Sequence, residues 1–222
     1  MEKQLTVVSW QKMQPSVTVH CELSTVNCQL TSMVLSDVDL KAALDSGEIG
    51  ISPPPDLDVQ LGSCSLDLRL GHEFRVFERA RTAFIDPRGE IDWDSFTRLE
   101  SVADGEPFIM HPQELVLAST IEKLTLPNDV LGRLEGRSSL GRLGIIVHGT
   151  APLFFPGFSG CAVMELGNIG PMPVALYPGM RICAFTFERL SSPTSKPYRG
   201  KYAGQSGPIG SRLQRDEEMA AE

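Results

Sequence analysis

The chain has 222 residues, of which 41% are hydrophobic and 22% are charged. These values are ordinary for a globular protein, so they favour one domain with a full core over a disordered chain. The formal net charge of −8 excludes a general nucleic-acid binder, which needs surplus cations for phosphates. No apolar run reaches the roughly 18 residues of a membrane-spanning helix. Five scattered cysteines suit neither a disulfide framework nor a zinc site, so we expect reduced thiols and a cytoplasmic protein.

Residues 1–32 differ from the rest of the chain, because they combine little periodicity with many Ser, Thr and Gln residues. We predict that they form a poorly ordered extension, or that Met33 is the natural start. A short helix should follow, with Ser36 as its N-cap, Leu40 on its buried face and Gly47 at its end.

Beyond Gly50, three consecutive prolines at 53–55 forbid helix. Short β-rich segments then alternate with turn signals, and they cover residues 65–70, 73–77, 114–119, 145–148, 161–166 and 182–187. Brief helical turns are expected around residues 92–101 and 137–143. Many short strands at this spacing predict an all-β sandwich, barrel or jelly roll. We expect one β domain over residues 33–212 and a charged C-terminal tail over 213–222.

Residues 136–144, here called the 136–144 motif, contain three glycines that allow a close approach of the backbone to a ligand. Arg137 and Arg142 are donors for phosphate oxygens, and so are the hydroxyls of Ser138 and Ser139. The Gly-Lys-Ser/Thr ending of a Walker loop is missing. Since such clusters are also common on solvated turns, composition alone favours the solvated turn.

Glu165 lies in a β-rich segment among Val163, Met164 and Leu166. If its face of the strand turns inward, desolvation makes it a candidate general acid/base. Simple alternation along the strand would instead point it at solvent, which is the commoner case for a strand glutamate. Cationic and hydroxyl donors also follow at residues 197–205, where the alternative is a solvated tail.

Taken together, these stretches resemble the dCTP deaminase family, which shares its fold with the trimeric dUTPases. The resemblance runs from about residue 33 to residue 212 and is strongest in the 136–144 motif and at residues 156–166, 178–180 and 197–205. It implies a mainly β fold with a few short helices, arranged as a distorted jelly roll or β-clip barrel.

The resemblance also implies roles for individual residues. Glu165 matches the catalytic glutamate, Arg142 the arginine beside that carboxylate, and Ser138 the serine that orients the attacking water. His148 matches a family histidine whose role is structural or catalytic. Nucleotide binding is expected from Arg137, Ser138, Ser139, Arg142, Gly149, Thr150, Ala151, Tyr198, Lys201 and Gln205.

Hydrolytic deamination at C4 of cytosine needs a base for the water and an acid for the departing ammonia, and one carboxylate can serve both steps. The signature of zinc-dependent deaminases, which needs a Pro-Cys-x-x-Cys as well as a His-x-Glu, is not met, because the sequence has no Pro-Cys-x-x-Cys. We therefore expect deamination without zinc or any other protein-bound metal, with Mg²⁺ carried by the triphosphate.

The sequence departs from the family at Phe155, which occupies the position of an aspartate that binds the sugar 3′-hydroxyl. Leu153 likewise stands where some relatives have a basic residue. A phenyl ring cannot accept a hydroxyl hydrogen bond. We therefore expect weaker discrimination of the sugar and no cleavage of the triphosphate.

The leading hypothesis is a deaminase that converts dCTP to dUTP and ammonia, supplying thymidylate synthesis. The alternatives are a bifunctional enzyme that yields dUMP, a dUTPase of the same fold, and a catalytically inactive nucleotide-binding regulatory paralogue. The resemblance further implies a homotrimer with active sites between subunits, and dTTP as a feedback inhibitor.

Overall fold

A computed structural model describes residues 33–78, 84–89 and 91–219. The prediction about residues 1–32 lies outside them. Helix α1 spans Asp37–Asp45, and the Ser36 side chain caps it by accepting a hydrogen bond from the N–H of Asp39 at 3.3 Å. Gly47 follows the helix with a φ of 74°, a left-handed conformation that favours glycine. The predicted helix and both of its end signals are confirmed.

Two further helices of one turn each are α2, Leu57–Gln60, and α3, Ser138–Gly141. The α3 turn confirms the helical turn predicted around 137–143. The turn predicted around 92–101 is only partly correct, because a 3₁₀ turn at Trp93–Ser95 gives way to a strand at Thr97–Ser101. The C-terminal residues form 3₁₀ turns at Leu213–Arg215 and Glu217–Met219.

All other regular structure is β, which confirms the predicted fold class. The strands are β1 Met33–Val34, β2 Gly50–Ser52, β3 Leu66–Phe77, β4 Thr97–Ser101, β5 Phe108–Met110, β6 Leu115–Thr125, β7 Val130–Gly136, β8 Ile145–Ile146, β9 Leu153–Phe154, β10 Ser159–Asn168, β11 Val174–Leu176 and β12 Arg181–Arg189.

Ten of these strands form one antiparallel sheet with the central order β8-β10-β6-β3-β12-β7-β9. Strands β1, β2 and β4 pair with β12, β6 and β3 respectively, while β5 and β11 form a separate pair. Strands β3, β6 and β12 each have three partners and change them along their length. Register shifts interrupt the pairing of β10 with β6, of β12 with β3 and of β3 with β6. Such irregularities bend strands, so the sheet curls around one core.

Gly71 explains why β3 is continuous where the sequence predicted two strands. A Cβ at this position would lie 2.8 Å from the backbone oxygen of Ser119 on β6, so only glycine allows this close approach. The strand therefore passes through the glycine while it exchanges β12 for β6 as its neighbour.

Alternation along β10 sets up the site. Ala162, Met164 and Leu166 are buried in the core, whereas Val163 and Glu165 lie half-buried on the outer face. Within the described part of the chain, no helix has both the length and the hydropathy needed to cross a membrane.

Candidate active site

Glu165 lies on the outer face of β10, opposite Leu117 of β6 in the strand register. Its Oε2 accepts a hydrogen bond of 2.9 Å from the backbone N–H of Gly149, and its own N–H donates to the Val147 carbonyl at 3.2 Å. Glu165 therefore lies on the outer face of the strand, where the segment after β8 bends back over it. The carboxylate consequently has a fixed position.

The face around Glu165 forms the floor of a cavity of about 770 Å³. Apolar side chains from β3, β6, β8 and β10 surround the carboxylate; they are Phe77, Leu115, Leu117, Ile146 and Val163. Among the described residues that line the cavity, Glu165 is the single carboxylate. A lone acid in apolar surroundings is a common arrangement for general acid/base chemistry.

Residues 149–151 form one rim of the cavity. Gly149, Thr150 and Ala151 all line the cavity and are exposed. The adjoining residue His148 keeps its Nδ1 buried without a hydrogen-bond partner among the described residues. This exposed segment therefore lies at the rim of the cavity that holds Glu165.

The C-terminal segment, residues 197–205, forms the opposite rim. Gln205 attaches this segment to β10 by two hydrogen bonds with Cys161. The Gln205 carbonyl accepts from the Cys161 N–H at 2.9 Å, and the Gln205 Nε2 donates to the Cys161 carbonyl at 2.8 Å. The Tyr198 N–H donates to the Pro156 carbonyl at 2.8 Å. Tyr198, Lys201 and Gln205 thereby line the same cavity as Glu165.

Gly157 permits this docking. It has a φ of 83°, and a Cβ there would lie 2.8 Å from the Cβ of Pro197. The turn between β9 and β10 therefore requires glycine both for its conformation and for contact with the C-terminal segment.

Phe155 lies exposed at the edge of the cavity and stacks on Tyr198, with ring centroids 6.2 Å apart and an interplanar angle of 23°. Leu153, Phe154 and Phe158 continue the same wall. At position 155, where the family resemblance implies an aspartate, this chain therefore has an aromatic ring in place of a carboxylate acceptor.

The 136–144 motif lies apart from the cavity in the single chain. Ser138, Ser139 and Arg142 are exposed, and neither they nor Arg137 line it. Arg137 instead contacts Asp67, with Nε 3.1 Å from Oδ2. The site residues predicted from the sequence thus form two groups, one around Glu165 and one on α3.

Sequence reasoning missed several contacts of these residues. The Gly149 N–H that holds Glu165 carries no side-chain signal, and neither does the stacking of Phe155 on Tyr198. Asp67 belongs to the β-rich segment predicted over residues 65–70, but nothing local indicates its pairing with a residue 70 positions later. A thiol also lies close to the site: burial raises the pKa of Cys161, which begins the β10 segment held by Gln205.

Comparison with known proteins shows the family of the chain. A family model described as dCTP deaminase-like matches residues 34–190. A dCTP deaminase of Thermomicrobium roseum is 58% identical over 185 residues, which are 82% of this chain and 94% of that protein. A protein of Methanosphaera stadtmanae named "dCTP deaminase, dUMP-forming" is 46% identical over 188 residues, covering 82% of this chain and 95% of the relative.

The fold has a match among solved structures. The crystal structure of 2′-deoxycytidine 5′-triphosphate deaminase from Agrobacterium tumefaciens superposes with a TM-score of 0.56 and 21% identity. The match covers 72% of this chain and 49% of that one, and it supports the fold alone.

A curled β fold that carries one glutamate in a largely apolar cavity is an arrangement suited to an enzyme that uses general acid/base chemistry. The chain belongs to the dCTP deaminase-like family and is an enzyme of that family. The resemblance drawn from the sequence is confirmed.

Proposed function

We propose that the protein hydrolyses dCTP to dUTP and ammonia. The observation that carries this proposal is the position of Glu165, whose Oε2 is held by the Gly149 N–H while Oε1 has no donor among the described residues. A carboxylate fixed at one oxygen and free at the other can accept and return a proton without losing its position.

In the proposed reaction, Glu165 takes a proton from a water molecule as the water oxygen bonds to C4 of cytosine. The carboxyl then passes that proton to the ring nitrogen N3. A second proton, from the added hydroxyl, reaches the amino nitrogen through the same carboxylate, the C4–N bond breaks, and ammonia leaves. General acid/base catalysis of this kind contributes about 10²–10⁴ in rate.

Residues 149–151 would read the pyrimidine edge through their backbone groups, since all three residues line the cavity that holds Glu165. Tyr198 and Lys201 on the opposite rim would meet the phosphates, and Gln205 would close the segment over the nucleotide. We place Mg²⁺ on the triphosphate. Lys201, Tyr198 and Gln205 on the rim carry hydrogen-bond donors. Such donors bind phosphate oxygens better than they bind a magnesium ion.

The proposed assembly is a homotrimer in which the α3 group of one subunit completes the cavity of its neighbour. Supporting this, Arg137, Ser138, Ser139 and Arg142 lie apart from Glu165 in one chain, although the reaction needs both groups. Large apolar side chains are also exposed around the cavity, namely Leu115, Ile146, Leu153 and Phe155. Exposed apolar clusters of this kind are typical of protein interfaces.

We propose dUTP as the product because Phe155 replaces the aspartate that the family resemblance links to phosphate cleavage. The relatives carry both names, dCTP deaminase and its dUMP-forming form. dUTP would then supply thymidylate synthesis, and dTTP, which has the same triphosphate, would compete for the site as a feedback inhibitor.

The test is to incubate the purified protein with dCTP and Mg²⁺ and to measure ammonia, dUTP and dUMP together. Ammonia and dUTP are expected in equal amounts, with at least about a hundredfold loss in Glu165→Gln. Glu106→Gln, an exposed loop residue, is the matched control and should behave as wild type. Ammonia with dUMP would establish the bifunctional enzyme. Nucleotide binding without any product would establish an inactive paralogue.

A further inference from the structure

One carboxylate oxygen of Asp67, on β3, forms ion pairs with two arginines. Arg137 Nε and Arg181 Nη1 each lie 3.1 Å from its Oδ2. The side chain of Asp67 is only 16% exposed, against 23% for Arg137 and 38% for Arg181. Strand register explains the meeting: on β12, Ala184 pairs with Asp67 while its neighbour Cys183 pairs with Gly136, the residue before Arg137.

The cluster fixes the Arg137 guanidinium at a second point. Its Nη1 donates to the backbone carbonyl of Arg181 at 2.8 Å, while its Nε contacts Asp67. Two contacts on a planar guanidinium determine its plane and leave Nη2 directed elsewhere. Because an arginine side chain loses considerable rotamer freedom when it binds an anion, ordering it beforehand increases affinity.

Charge supports an anion at this position. Two guanidinium groups share one carboxylate, so the cluster of Asp67, Arg137 and Arg181 keeps a net charge of +1. Arg137 also begins the turn that carries Ser138 and Ser139. Arg137 Nη2 has no hydrogen-bond partner among the described residues, and the two residues that follow Arg137 in the chain carry exposed hydroxyl side chains.

The strand does not depend on this carboxylate for its place in the sheet. Two residues further along β3, Arg69 donates to the fully buried Glu122 of β6 through both its Nε, at 2.7 Å, and its backbone N–H, at 2.9 Å. Gln60 contacts Asp67 through the backbone carbonyl, at 2.8 Å, and not through the carboxylate. The Asp67 side chain is thus directed to the arginines alone.

We propose that Asp67 is a positioning residue for the triphosphate: it holds Arg137, together with Arg181, in the orientation that meets the phosphate oxygens. This inference rests on the proposed function. In this proposal Asp67 acts through Arg137, so its effect should reach binding of the triphosphate and leave the chemical step at Glu165 unchanged.

The test compares wild type with Asp67→Asn, which keeps the shape of the side chain and removes its charge. KM for dCTP should rise about tenfold, as the loss of one charge-assisted contact predicts, with kcat within about twofold. Calorimetric affinity should fall by a similar factor for dCTP but hardly at all for dCMP, which lacks the β- and γ-phosphates. Unchanged dCTP affinity would overturn the inference, and so would equal losses for dCTP and dCMP.

Glu188→Gln is the matched control. It removes the contact of Glu188 with Arg133 at 2.8 Å, a partly exposed ion pair between β7 and β12 that involves no predicted site residue. Nucleotide affinity should not change. Thermal unfolding of every variant checks the fold, and Asp67→Ser provides a second variant should the asparagine variant fail to fold.

A double-mutant cycle identifies the route of the effect. If Asp67 acts through Arg137, then Arg137→Lys should weaken dCTP binding in the wild type but add little in Asp67→Asn. Additive losses would overturn the inference. A wild-type protein that binds dCTP but releases no ammonia would contradict the proposed function, and the calorimetric comparison would still test Asp67.

Discussion

Glu165 and Gly149 are joined by a hydrogen bond of 2.9 Å between a carboxylate oxygen and a backbone N–H. The bond fixes a side chain of β10 to the segment that follows β8, so the position of the candidate base depends on backbone geometry. A Cβ on residue 149 would lie 3.0 Å from the same oxygen. Any side chain at position 149 would therefore crowd the Glu165 carboxylate.

Gly149→Ala should lower kcat for deamination about tenfold, since weakening a hydrogen bond to a charged group costs roughly 1.4 kcal/mol or more. The added methyl group pushes the carboxylate oxygen away from the N–H, while the exposed segment should tolerate it in the fold. Steady-state kinetics with dCTP measure the effect. Gly89→Ala, with only a distant neighbour at 3.9 Å, is the control and should keep wild-type kcat. Equal kcat in all three proteins would show that the hydrogen bond does not position the base.

Lys201 is already engaged in the free chain, because its Nζ forms an ion pair with Asp216. The same lysine is the proposed phosphate ligand of the C-terminal rim, so the carboxylate and the triphosphate compete for it. Both side chains are partly exposed, which limits the pair to about 0.2–1 kcal/mol.

Asp216→Asn should therefore lower KM for dCTP by at most about fivefold, with kcat unchanged. The gain should shrink as salt is added, because salt screens a partly exposed pair. Asp104→Asn makes the same change of charge at an exposed site away from the cavity and should leave KM as in wild type. A KM that rises in Asp216→Asn would mean that Asp216 holds Lys201 ready for the nucleotide.

Local signals predicted much of this molecule. Ser36 and Gly47 mark the ends of α1 because capping and a left-handed residue act within a few positions of sequence. The sequence left two orientations open for Glu165, and the outer-face position is the one that simple alternation along β10 gives. What covers that face was not predictable, since the segment at Gly149 and the residues near Gln205 reach it through contacts specific to the folded chain.

Long-range pairing set the limit of prediction. Asp67 and Arg137 meet because β12 lies between β3 and β7, an arrangement that no local periodicity encodes. The family resemblance placed Arg142 and Glu165 in one site, yet within one chain only Glu165 lines the cavity. Whether Arg142 and Glu165 come together depends on how copies of the chain assemble. Strand and turn patterns in the sequence carry no information about that assembly.

Phe155 should determine how the site treats the sugar. Its ring stacks on Tyr198 and offers no acceptor to a 3′-hydroxyl, so wild type should deaminate dCTP and 2′,3′-dideoxy-CTP with kcat/KM values within about threefold. Phe155→Asp should restore an acceptor and favour dCTP by about tenfold, the usual worth of one hydrogen bond to a charged group. Competition kinetics with the two nucleotides measure the ratio.

Phe155→Leu is the matched control, because it removes the stacked ring without adding an acceptor. It should keep the low discrimination of wild type. Pyrophosphate should be undetectable with wild type and with the leucine variant. Unaltered sugar selectivity in Phe155→Asp, together with no pyrophosphate, would leave Phe155 without a role in specificity.

Cys183 should make stability depend on pH in the alkaline range. Its side chain is fully buried between β3 and β7, and burial raises the pKa of the thiol above its ordinary value. Above about pH 9 the unfolded chain loses this proton while the folded chain retains it, so the unfolded state binds fewer protons. The free energy of unfolding should therefore fall as pH rises, by up to about 1.4 kcal/mol per pH unit from this group.

Cys183→Ala removes this contribution. Urea unfolding at a series of pH values from about 8 to 11 should show a shallower loss of stability than in wild type. The methyl-sized cavity lowers stability by a similar amount at every pH, so it shifts the curve without changing its slope. Cys64→Ala, which removes an exposed thiol, should keep the wild-type slope. An identical slope in Cys183→Ala would mean that the alkaline loss arises elsewhere, with the Cys161 thiol, whose pKa burial also raises, as the next group to replace.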